Sequence, residues 1–457
     1  MKSIYLLIYT VLVLFGNPTW AGLTEQKMHV PVIVKGEQIK ALLGRKIDNI
    51  RVYAFHRGSP VLIPFQIDQK DSEGNWVWEQ VSNADRHEMK NFDNEDSKGE
   101  NIFDSNDQLV FMAKDMGEKS DKPSLKIDYS ELLELKTFIG ESKAYSGWVY
   151  ITYHSLSVPE KSTTRYMQYQ PDKNVVKSPV YSLTYSKKYL ATMEDMTISG
   201  HSVINQTRIN GKVELGLLFL NSSVEFNEKE IDGYSVGYIN GPIRTIKRFI
   251  TYIKLGAGIK SMSMDVDHIF YPNHTEVPVL ITKGLIVKNM AIKIGANYPP
   301  TDSCQVYNQS LKTLTQLNNS RAEISLQTND RPQLLTLNSS SYSMLTLLKI
   351  PKELREKLNT YAFINNETPF QDTKKKSSAE NKLAGFYLKT RDDFPSGQYK
   401  LNVISIFSDK PDIYKKTDLI NKKVSVVASK IKKMSLPDYN PGLKISQSSS
   451  LNKMITH

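Results

Sequence analysis

Apolar and polar side chains alternate with a period of two along much of the chain between Val30 and Leu347. The runs are short, rich in β-branched and aromatic residues, and bounded by Gly, Pro, Asn or Ser, which is typical of strands that end in turns. The clearest of them are IRVYAF, VLIPFQI, GWVYITYH, PVYSLTY, VELGLLFL, RFITYIKL and IVKNMAIKI. The pattern predicts an all-β protein with minor helical decoration: a large β-sandwich or supersandwich preceded by a smaller N-terminal β domain.

Helical patterns are confined to two segments. Residues 128–140, DYSELLELKTFIG, start near a serine suited to capping and end in glycine. Residues 351–363, PKELREKLNTYAF, have proline at the first position and place Leu354, Leu358 and Tyr361 at helical spacing. Proline at the start and glycine at the end are the usual boundaries of a helix, so both segments are predicted to be helical.

Changes in pattern divide the chain into five parts. They are a signal peptide at 1–21, an N-terminal β domain at 22–160, a central β-sandwich at 161–348, a C-terminal helix plus β unit at 349–435, and a tail at 436–457. The N-terminal domain carries an acidic insertion at 91–107. The tail is polar and rich in serine, a composition that predicts disorder.

The first residues indicate export. One lysine precedes an apolar run, and the small residues Thr19 and Ala21 follow at the spacing that a signal peptidase accepts. The run is too short for a transmembrane helix, which needs roughly 20 apolar residues. We therefore expect a soluble periplasmic or secreted protein, cleaved near Ala21 and without a transmembrane segment.

Cysteine usage agrees with a bacterial exported protein stabilised by its core alone. Cys304 is the only cysteine in the chain, which excludes intramolecular disulfides. A chain of this length buries enough apolar surface to fold without them. The Asn-x-Ser/Thr sites at Asn205 and Asn273 leave open a glycosylated eukaryotic protein.

The net charge of +11 and the pI near 9.2 favour anionic surroundings: acidic polysaccharide, lipid head groups or nucleic acid. The basic runs at 373–377 and 430–433 are not interleaved with stacking aromatic residues. Nucleic-acid binding is therefore not expected, and solvated lysines on loops and a tail explain these runs better. The oligomeric state stays open.

The densest group of functional side chains is the segment SMSMDVDHIFYPNHTEVP at 261–278. A period of two places Asp265 and Asp267 on the same face of a strand. Carboxylates so spaced overlap the separations used by glycosidases. His268, Tyr271 and His274 follow closely and complete a candidate ligand-binding face. The alternative is a solvated strand with hydrogen-bonded structural histidines.

A second candidate is GPIRTIKRFITYIKLG at 241–256, which places Arg244 and Arg248 on one strand face and Lys247 on the other. Two guanidinium groups are suited to clamping a carboxylate, as in uronic acids, by bidentate hydrogen bonds. The competing interpretation is an outer strand face, where arginines lie along apolar neighbours and prevent strand pairing.

Two acidic turns suggest a cation site. Candidate oxygen ligands for calcium, the one cofactor that the residues leave open, are Asp68, Asp71, Asp104, Asn106 and Asp107. The spacing does not match the EF-hand template, because the glycine and the final glutamate are missing. Asp and Asn also cap turns with their own backbone, and turn capping is the favoured interpretation.

No motif defines a reaction. The chain has no Gly-x-Ser-x-Gly elbow, no His-Glu-x-x-His, no phosphate loop and no dinucleotide fingerprint. Catalytic residues stay unknown on this basis.

The succession VLIPFQIDQKDSEG, DSNDQLVFMAKDMG and GPIRTIKRF resembles a pattern of secreted bacterial proteins. In these proteins a Pro-x-Gln-x-Asp strand and an acidic turn before Leu-Val-Phe precede a Gly-Pro-[Val/Ile]-Arg strand. Some are similar to the mutarotase-like supersandwich group, whose relatives process or bind polysaccharides, including rhamnogalacturonan lyases. The resemblance implies a large β-sandwich with a saccharide groove. It covers about half the chain and assigns no catalytic residue.

The leading hypothesis is an exported β-sandwich protein that binds a glycan or an anionic envelope polymer. Trp76, Trp78 and Trp148 are its best candidates for stacking on sugars. The first alternative is a polysaccharide lyase or hydrolase whose groove is lined by Asp265, Asp267, His268, Tyr271 and Arg244. The second is a structural component of an envelope or secretion assembly, with the basic tail as a docking segment.

Overall fold

The fold is known from a computed structural model. It describes residues 30–78, 80–81, 101–121, 123, 125, 127–140, 145–190, 192–217, 220–256, 259–261, 263–283, 287–298, 303–308, 313–316, 322–325, 333–365, 382–391, 397–411 and 424–431. The expected signal peptide and tail, the lysine run at 373–377 and most of the acidic insertion lie outside these residues.

The first part of the chain forms strands around short 3-10 turns at Gly36–Gln38, Lys40–Leu42, Ile47–Asn49 and Ala113–Asp115. The strands are β1 (Pro31–Lys35), β2 (Ile50–His56), β3 (Ser59–Leu62), β4 (Gln66–Asp68), β5 (Gln80–Val81), β6 (Gln108–Met112), β7 (Glu131–Ile139) and β8 (Tyr145–Tyr153).

The middle of the chain has longer strands and one 3-10 turn at Pro171–Lys173. The strands are β9 (Gln168–Gln170), β10 (Val175–Lys177), β11 (Tyr181–Tyr185), β12 (Met193–Ile198), β13 (His201–Ile204), β14 (Gln206–Leu217), β15 (Leu220–Asn227), β16 (Ile231–Asn240), β17 (Thr245–Gly256), β18 (Ile259–Lys260), β19 (Met264–Tyr271), β20 (His274–Lys283) and β21 (Val287–Tyr298).

The last part contains the α-helix α1 (Lys352–Arg355). Its strands are β22 (Ser303–Asn308), β23 (Thr313–Gln316), β24 (Ala322–Ser325), β25 (Gln333–Asn338), β26 (Ser343–Lys349), β27 (Leu358–Asn365), β28 (Lys382–Thr390), β29 (Gly397–Ser408) and β30 (Val424–Ile431). Within the described ranges, no helix is long and apolar enough to cross a membrane.

Two antiparallel sheets form the N-terminal sandwich: sheet I, in the order β1-β6-β4, and sheet II, in the order β3-β2-β8-β7-β30. β6 is apolar from Leu109 to Met112, because these residues are buried on both faces of the strand. Leu109 and Phe111 belong to the core shared with sheet II, whereas Val110 and Met112 pack against Ile243 of the central part. One strand therefore joins two hydrophobic clusters.

Three further sheets form the larger sandwich. Sheet III has the order β13-β12-β11-β10-β9, sheet IV has β15-β14-β21-β28-β27-β24, and the eleven-stranded sheet V has β23-β22-β25-β26-β29-β20-β19-β17-β16-β5 with β18 beside β17. The largest hydrophobic core contains side chains from all three, such as Tyr185 of sheet III, Phe386 of sheet IV and Phe270 of sheet V. The predicted all-β class, with sandwiches of antiparallel sheets and little helix, is confirmed.

The two helix predictions fail in the same way. Residues 131–139 form strand β7, not a helix, and from Leu133 to Ile139 every second side chain is buried. In the second segment only α1 is helical, and residues 358–365 form β27. Leucine, glutamate and lysine favour helices intrinsically, but pairing with neighbouring strands overrides that preference.

Two strands pair with a sheet of the other sandwich. β5, from the N-terminal part, pairs with β16 at the edge of sheet V. β30, at the end of the described chain, pairs with β7 and completes sheet II. The five-part division of the chain stays a prediction, but residues of its fourth part thus belong to a sheet of its second.

Candidate functional site

The candidate site lies on the face of sheet V where β17 and β19 meet the N-terminal sandwich. Arg248 of β17 and Asp267 of β19 are register partners, as are Lys247 and His268. Since side chains alternate along a strand, the first pair lies on one face and the second pair on the other. The two faces have different chemistry.

Arg244 is the centre of the first face. Its Nε donates to Asp68 Oδ2 at 2.7 Å, its Nη2 to Gln108 Oε1 at 2.7 Å, and its Nη1 to the Tyr271 hydroxyl at 3.1 Å. Arg244 is 2% exposed and Asp68 is 1% exposed. Burial by itself lowers the pKa of Arg244, but the Asp68 carboxylate and the Tyr271 hydroxyl outweigh it and raise the pKa above its usual value.

Gln66 connects the two sandwiches by hydrogen bonds. Its Oε1 accepts the amide protons of Ile243 at 2.9 Å and of Arg244 at 2.8 Å, and its Nε2 donates to Asp68 Oδ1 at 2.6 Å. Gly241 is needed here, because a Cβ at that position would lie 2.1 Å from Gln66 Oε1. The Pro-x-Gln-x-Asp and Gly-Pro-Ile-Arg motifs are therefore each other's structural partners.

Arg248 is also paired within the chain. Its Nε and Nη2 donate to the two carboxylate oxygens of Asp267 at 2.6 and 2.7 Å. Burial by itself lowers the pKa of Arg248. The hydrogen bonds and charge of Asp267, with a smaller contribution from Asp265, outweigh burial, so the pKa is above its usual value. Both arginines of the predicted clamp thus already hold carboxylates of the protein itself.

Two half-buried tryptophans lie beside these arginines. The Trp76 ring centre is 5.3 Å from the Arg244 guanidinium carbon, and the Trp78 ring centre is 5.5 Å from that of Arg248. Lys70 Nζ lies 4.3 Å from the Trp76 ring centre. Burial, followed by the charges of Arg244 and Arg248, lowers the pKa of Lys70. We call Trp76, Trp78, Arg244 and Arg248 the tryptophan–arginine ladder.

His268 does not join the carboxylates. It lies on the opposite face, where its Nδ1 is 2.5 Å from the Tyr185 hydroxyl. Burial and the charge of Lys247 lower the pKa of His268 to about 3. The same alternation that places Asp265 and Asp267 together separates them from His268, so the expectation of one groove with all three is wrong.

Lys247 completes the second face. Its ammonium donates to the Tyr169 hydroxyl at 2.9 Å and to Asn174 Oδ1 at 2.7 Å. It lies 4.4 Å from the centre of the Tyr185 ring. Burial lowers the pKa of Lys247 to about 8. This cluster lies between sheets III and V, and its polar groups bond one another.

The other predicted site residues are only partly brought together. His274 stacks on Tyr271 with ring centres 4.5 Å apart, and its Nε2 lies 3.7 Å from a Glu276 carboxylate oxygen. Trp148 lies on β8 in sheet II and packs beside a different cluster that contains Tyr150. Trp148 therefore belongs to a different sheet and a different hydrophobic cluster from the tryptophan–arginine ladder.

The acidic turns use their oxygens for backbone capping. The Asp107 carboxylate accepts the amide protons of Lys70 at 2.9 Å and Asp104 at 3.0 Å. Asp104 Oδ1 accepts the Asn106 amide proton at 3.0 Å, and Asp71 Oδ1 accepts that of Asn75 at 2.8 Å. The described residues include no group of three or more His, Cys, Asp or Glu side chains that could hold a metal ion. Calcium binding stays a prediction.

A cavity of about 370 Å³ adjoins this face and was not predicted from the sequence. Ile47 and three segments line it: residues 65–68 around β4, the extended segment 161–165, and the turn at 239–242 before β17. We call the segment 161–165 the strap and the cavity the strap cleft. The only signal in the sequence is the polar run Lys-Ser-Thr-Thr-Arg of the strap itself.

The strap is held at both sides of the cleft. Just before it, Arg51 Nε donates to the Pro159 carbonyl at 2.6 Å. Just after it, the amide of Tyr166 donates to the Pro242 carbonyl at 2.7 Å. Within it, Lys161 Nζ lies 3.1 Å from Asp48 Oδ1. The walls of the cleft are thus connected to both sandwiches.

Comparisons with known proteins do not assign a family. No family model matches the chain, and no curated protein matches it. A protein of glycosyl hydrolase family 38 from Enterococcus faecalis is 8% identical, with a TM-score of 0.46 over 89% of this chain and 46% of its own. An α-N-acetylgalactosaminidase from Bifidobacterium bifidum is 8% identical, with a TM-score of 0.33 over 53% of this chain and 39% of its own.

A proposed aldose 1-epimerase from Escherichia coli K12 is 7% identical, with a TM-score of 0.29 over 54% of this chain and 99% of its own. The chain spans less than half the length of the first two of these proteins. At such identities and scores, the similarities assign no activity to the chain.

Proposed function

We propose that the protein binds a saccharide in the strap cleft and acts as a glycan-binding protein. The observation that carries this proposal is the lining of the cleft, where hydroxyl, amide and cationic side chains of three segments converge. They include Ser162, Thr163, Thr164, Asn240 and Arg165. A ligand covered with hydroxyl groups needs many fixed donors and acceptors, and this lining supplies them.

The size and support of the cleft fit such a ligand. Its volume of about 370 Å³ lies in the range of small-molecule sites, which run from about 300 to 1,000 Å³. Gln66 and Asp68 on its wall are fixed by the hydrogen bonds that join the two sandwiches. A wall that is already ordered loses little entropy when the ligand binds.

Binding is favoured over catalysis because Asp68 and Asp267, two of the carboxylates on this face, are paired with arginines. Asp68 is paired with Arg244, and both oxygens of Asp267 are paired with Arg248. A glycosidase needs one carboxyl group with a raised pKa to donate a proton. Burial raises the pKa of Asp107 to about 6, but both oxygens of that carboxylate accept backbone amide protons.

The test is a glycan-array and affinity-electrophoresis screen of the chain from Gly22, with and without calcium. The blocking variant is Thr164→Trp, since Thr164 is exposed and lines the cleft. The matched control is Ser340→Trp, at an exposed position in the turn between β25 and β26. We expect saturable binding that the control retains and that Thr164→Trp weakens at least about tenfold.

Two results would count against the proposal. Binding to no glycan would remove it altogether. Binding that survives Thr164→Trp but is lost in Trp76→Ala would move the saccharide from the strap cleft to the tryptophan–arginine ladder.

A further inference from the structure

The charged side chains that line the strap cleft include more cations than anions. Asp68, Lys161 and Arg165 are the charged side chains among its lining residues. Asp68 is already neutralised by Arg244 at 2.7 Å, and both of these side chains are nearly fully buried. The two cations therefore determine the charge that a ligand meets in the cleft.

Arg165 has only neutral partners among the described residues. Its Nη2 donates both to the backbone carbonyl of Asn240 and, at 2.9 Å, to Asn240 Oδ1. Within the described part of the chain, no carboxylate lies within salt-bridge distance of this guanidinium. Arg165 differs in this respect from Arg244 and Arg248, which hold Asp68 and Asp267.

Asn240 does not depend on Arg165. Its Oδ1 also accepts the Tyr169 amide proton at 2.9 Å, and its Nδ2 donates to the Tyr169 carbonyl at 3.0 Å. If Arg165 turns toward a ligand, Asn240 keeps these two hydrogen bonds and its side-chain atoms are not left unsatisfied. The guanidinium can exchange two neutral acceptors for a carboxylate, which accepts stronger, charge-assisted hydrogen bonds.

Lys161 is available in a similar way. Its ammonium pairs with Asp48 at 3.1 Å, but the side chains are 51% and 65% exposed. Exposed ion pairs of this kind contribute little free energy, since water and salt screen them. Sharing the ammonium with a ligand therefore costs little.

We infer that the saccharide of the strap cleft is acidic and that Arg165 selects it by pairing with the carboxylate of a uronic acid, with Lys161 as the second cation. This inference rests on the proposed function. It replaces the expectation that Arg244 and Arg248 form the carboxylate clamp, because those two arginines already pair with carboxylates of the protein itself.

The test compares acidic oligosaccharides with their neutral methyl esters by isothermal titration calorimetry. The probes are oligomers of galacturonate, mannuronate, guluronate and glucuronate, each with its esterified form. The variant is Arg165→Gln. The matched control is Arg391→Gln, since Arg391 is also exposed and also donates to an asparagine, Asn359 Oδ1, at 2.7 Å.

We expect at least one acidic oligomer to bind about tenfold more tightly than its ester, and Arg165→Gln but not Arg391→Gln to abolish that difference. Equal binding of acid and ester would overturn the inference and leave saccharide binding intact. Unchanged acid preference in Arg165→Gln would overturn the role of Arg165. Binding of neither form, together with an empty glycan array, would remove the proposed function as well.

Discussion

Arg244 and Asp68 form a salt bridge of 2.7 Å between the two sandwiches, and neither side chain is more than 2% exposed. Asp68 ends β4 of sheet I, and Arg244 directly precedes β17 of sheet V. Beside this ion pair, Val110 and Met112 pack against Ile243. The junction thus combines an apolar contact with a charged pair whose remaining hydrogen bonds go to Gln66, Gln108 and Tyr271.

Breaking this pair should be costly, because one charge would stay buried without a partner. We expect Asp68→Asn to lower the free energy of unfolding by about 3–5 kcal/mol. Glu225→Gln is the control, since Glu225 and Lys212 form an exposed pair at 3.9 Å and such pairs are worth about 1 kcal/mol or less. Urea unfolding of both variants measures the difference. Equal effects of the two substitutions would contradict the structural role of the pair.

The junction also shows how much the sequence could predict. The PFQID and GPIR segments form a recognisable pattern, and the prediction of a strand after Gly-Pro is correct for Arg248, whereas Arg244 lies one residue before the strand begins. Their role was not accessible, because residues that lie more than 170 positions apart in the chain bond each other here. A spacing rule describes one strand and carries no information about which strand covers it.

The cleft was missed for the same reason. Its lining comes from Ile47 and three separate segments, and each segment is unremarkable by itself. The strap lacks both strand alternation and helical spacing, so local patterns offer no way to place it. The error at β7 is different, since the burial of Leu133, Leu135, Thr137 and Ile139 follows an alternation that the sequence does contain.

His268 should make the protein sensitive to acid. Its pKa is about 3 in the folded protein, against an ordinary value of 6.5. Between these values the unfolded chain binds more protons, so stability rises with pH and is lost as pH falls, by up to about 1.4 kcal/mol per pH unit. We expect His268→Asn to flatten the dependence of unfolding free energy on pH from 3 to 6.5. His201→Asn, at an exposed position on β13, should leave it unchanged.

Asp107 should act with the opposite sign. Burial raises its pKa to about 6 from an ordinary 3.8. Between about pH 4 and pH 6 the folded protein binds more protons than the unfolded chain, so this group's contribution to stability falls as pH rises. Asp107→Asn removes that contribution, and unfolding free energy should then rise more steeply with pH across this window. Urea unfolding at several pH values measures how the free energy of unfolding depends on pH in each variant. Relative to the unsubstituted protein, this dependence should become steeper in Asp107→Asn and flatter in His268→Asn. A change in the same direction in both variants would contradict one of the two assignments.

The strand β30 should stabilise the N-terminal sandwich although it lies near the other end of the chain. It pairs with β7 along its whole length, from Val424 with Ile139 to Ile431 with Leu132. Val424, Val426 and Ala428 pack against the core of sheets I and II. Removing these side chains and their ladder of hydrogen bonds should cost on the order of 3 kcal/mol.

A chain that ends at residue 423 tests this contribution against a chain that ends at residue 431. Both lack residues 432–457, and only the shorter one lacks β30. We expect the shorter chain to unfold at lower urea concentration and to lose hydrogen-exchange protection at the β7 amides that face β30. The β7 amides that face β8 should keep part of theirs, because β7 and β8 are paired from Glu131 to Ile139. Equal protection of β7 in the two chains would show that sheet II is stable without its C-terminal strand.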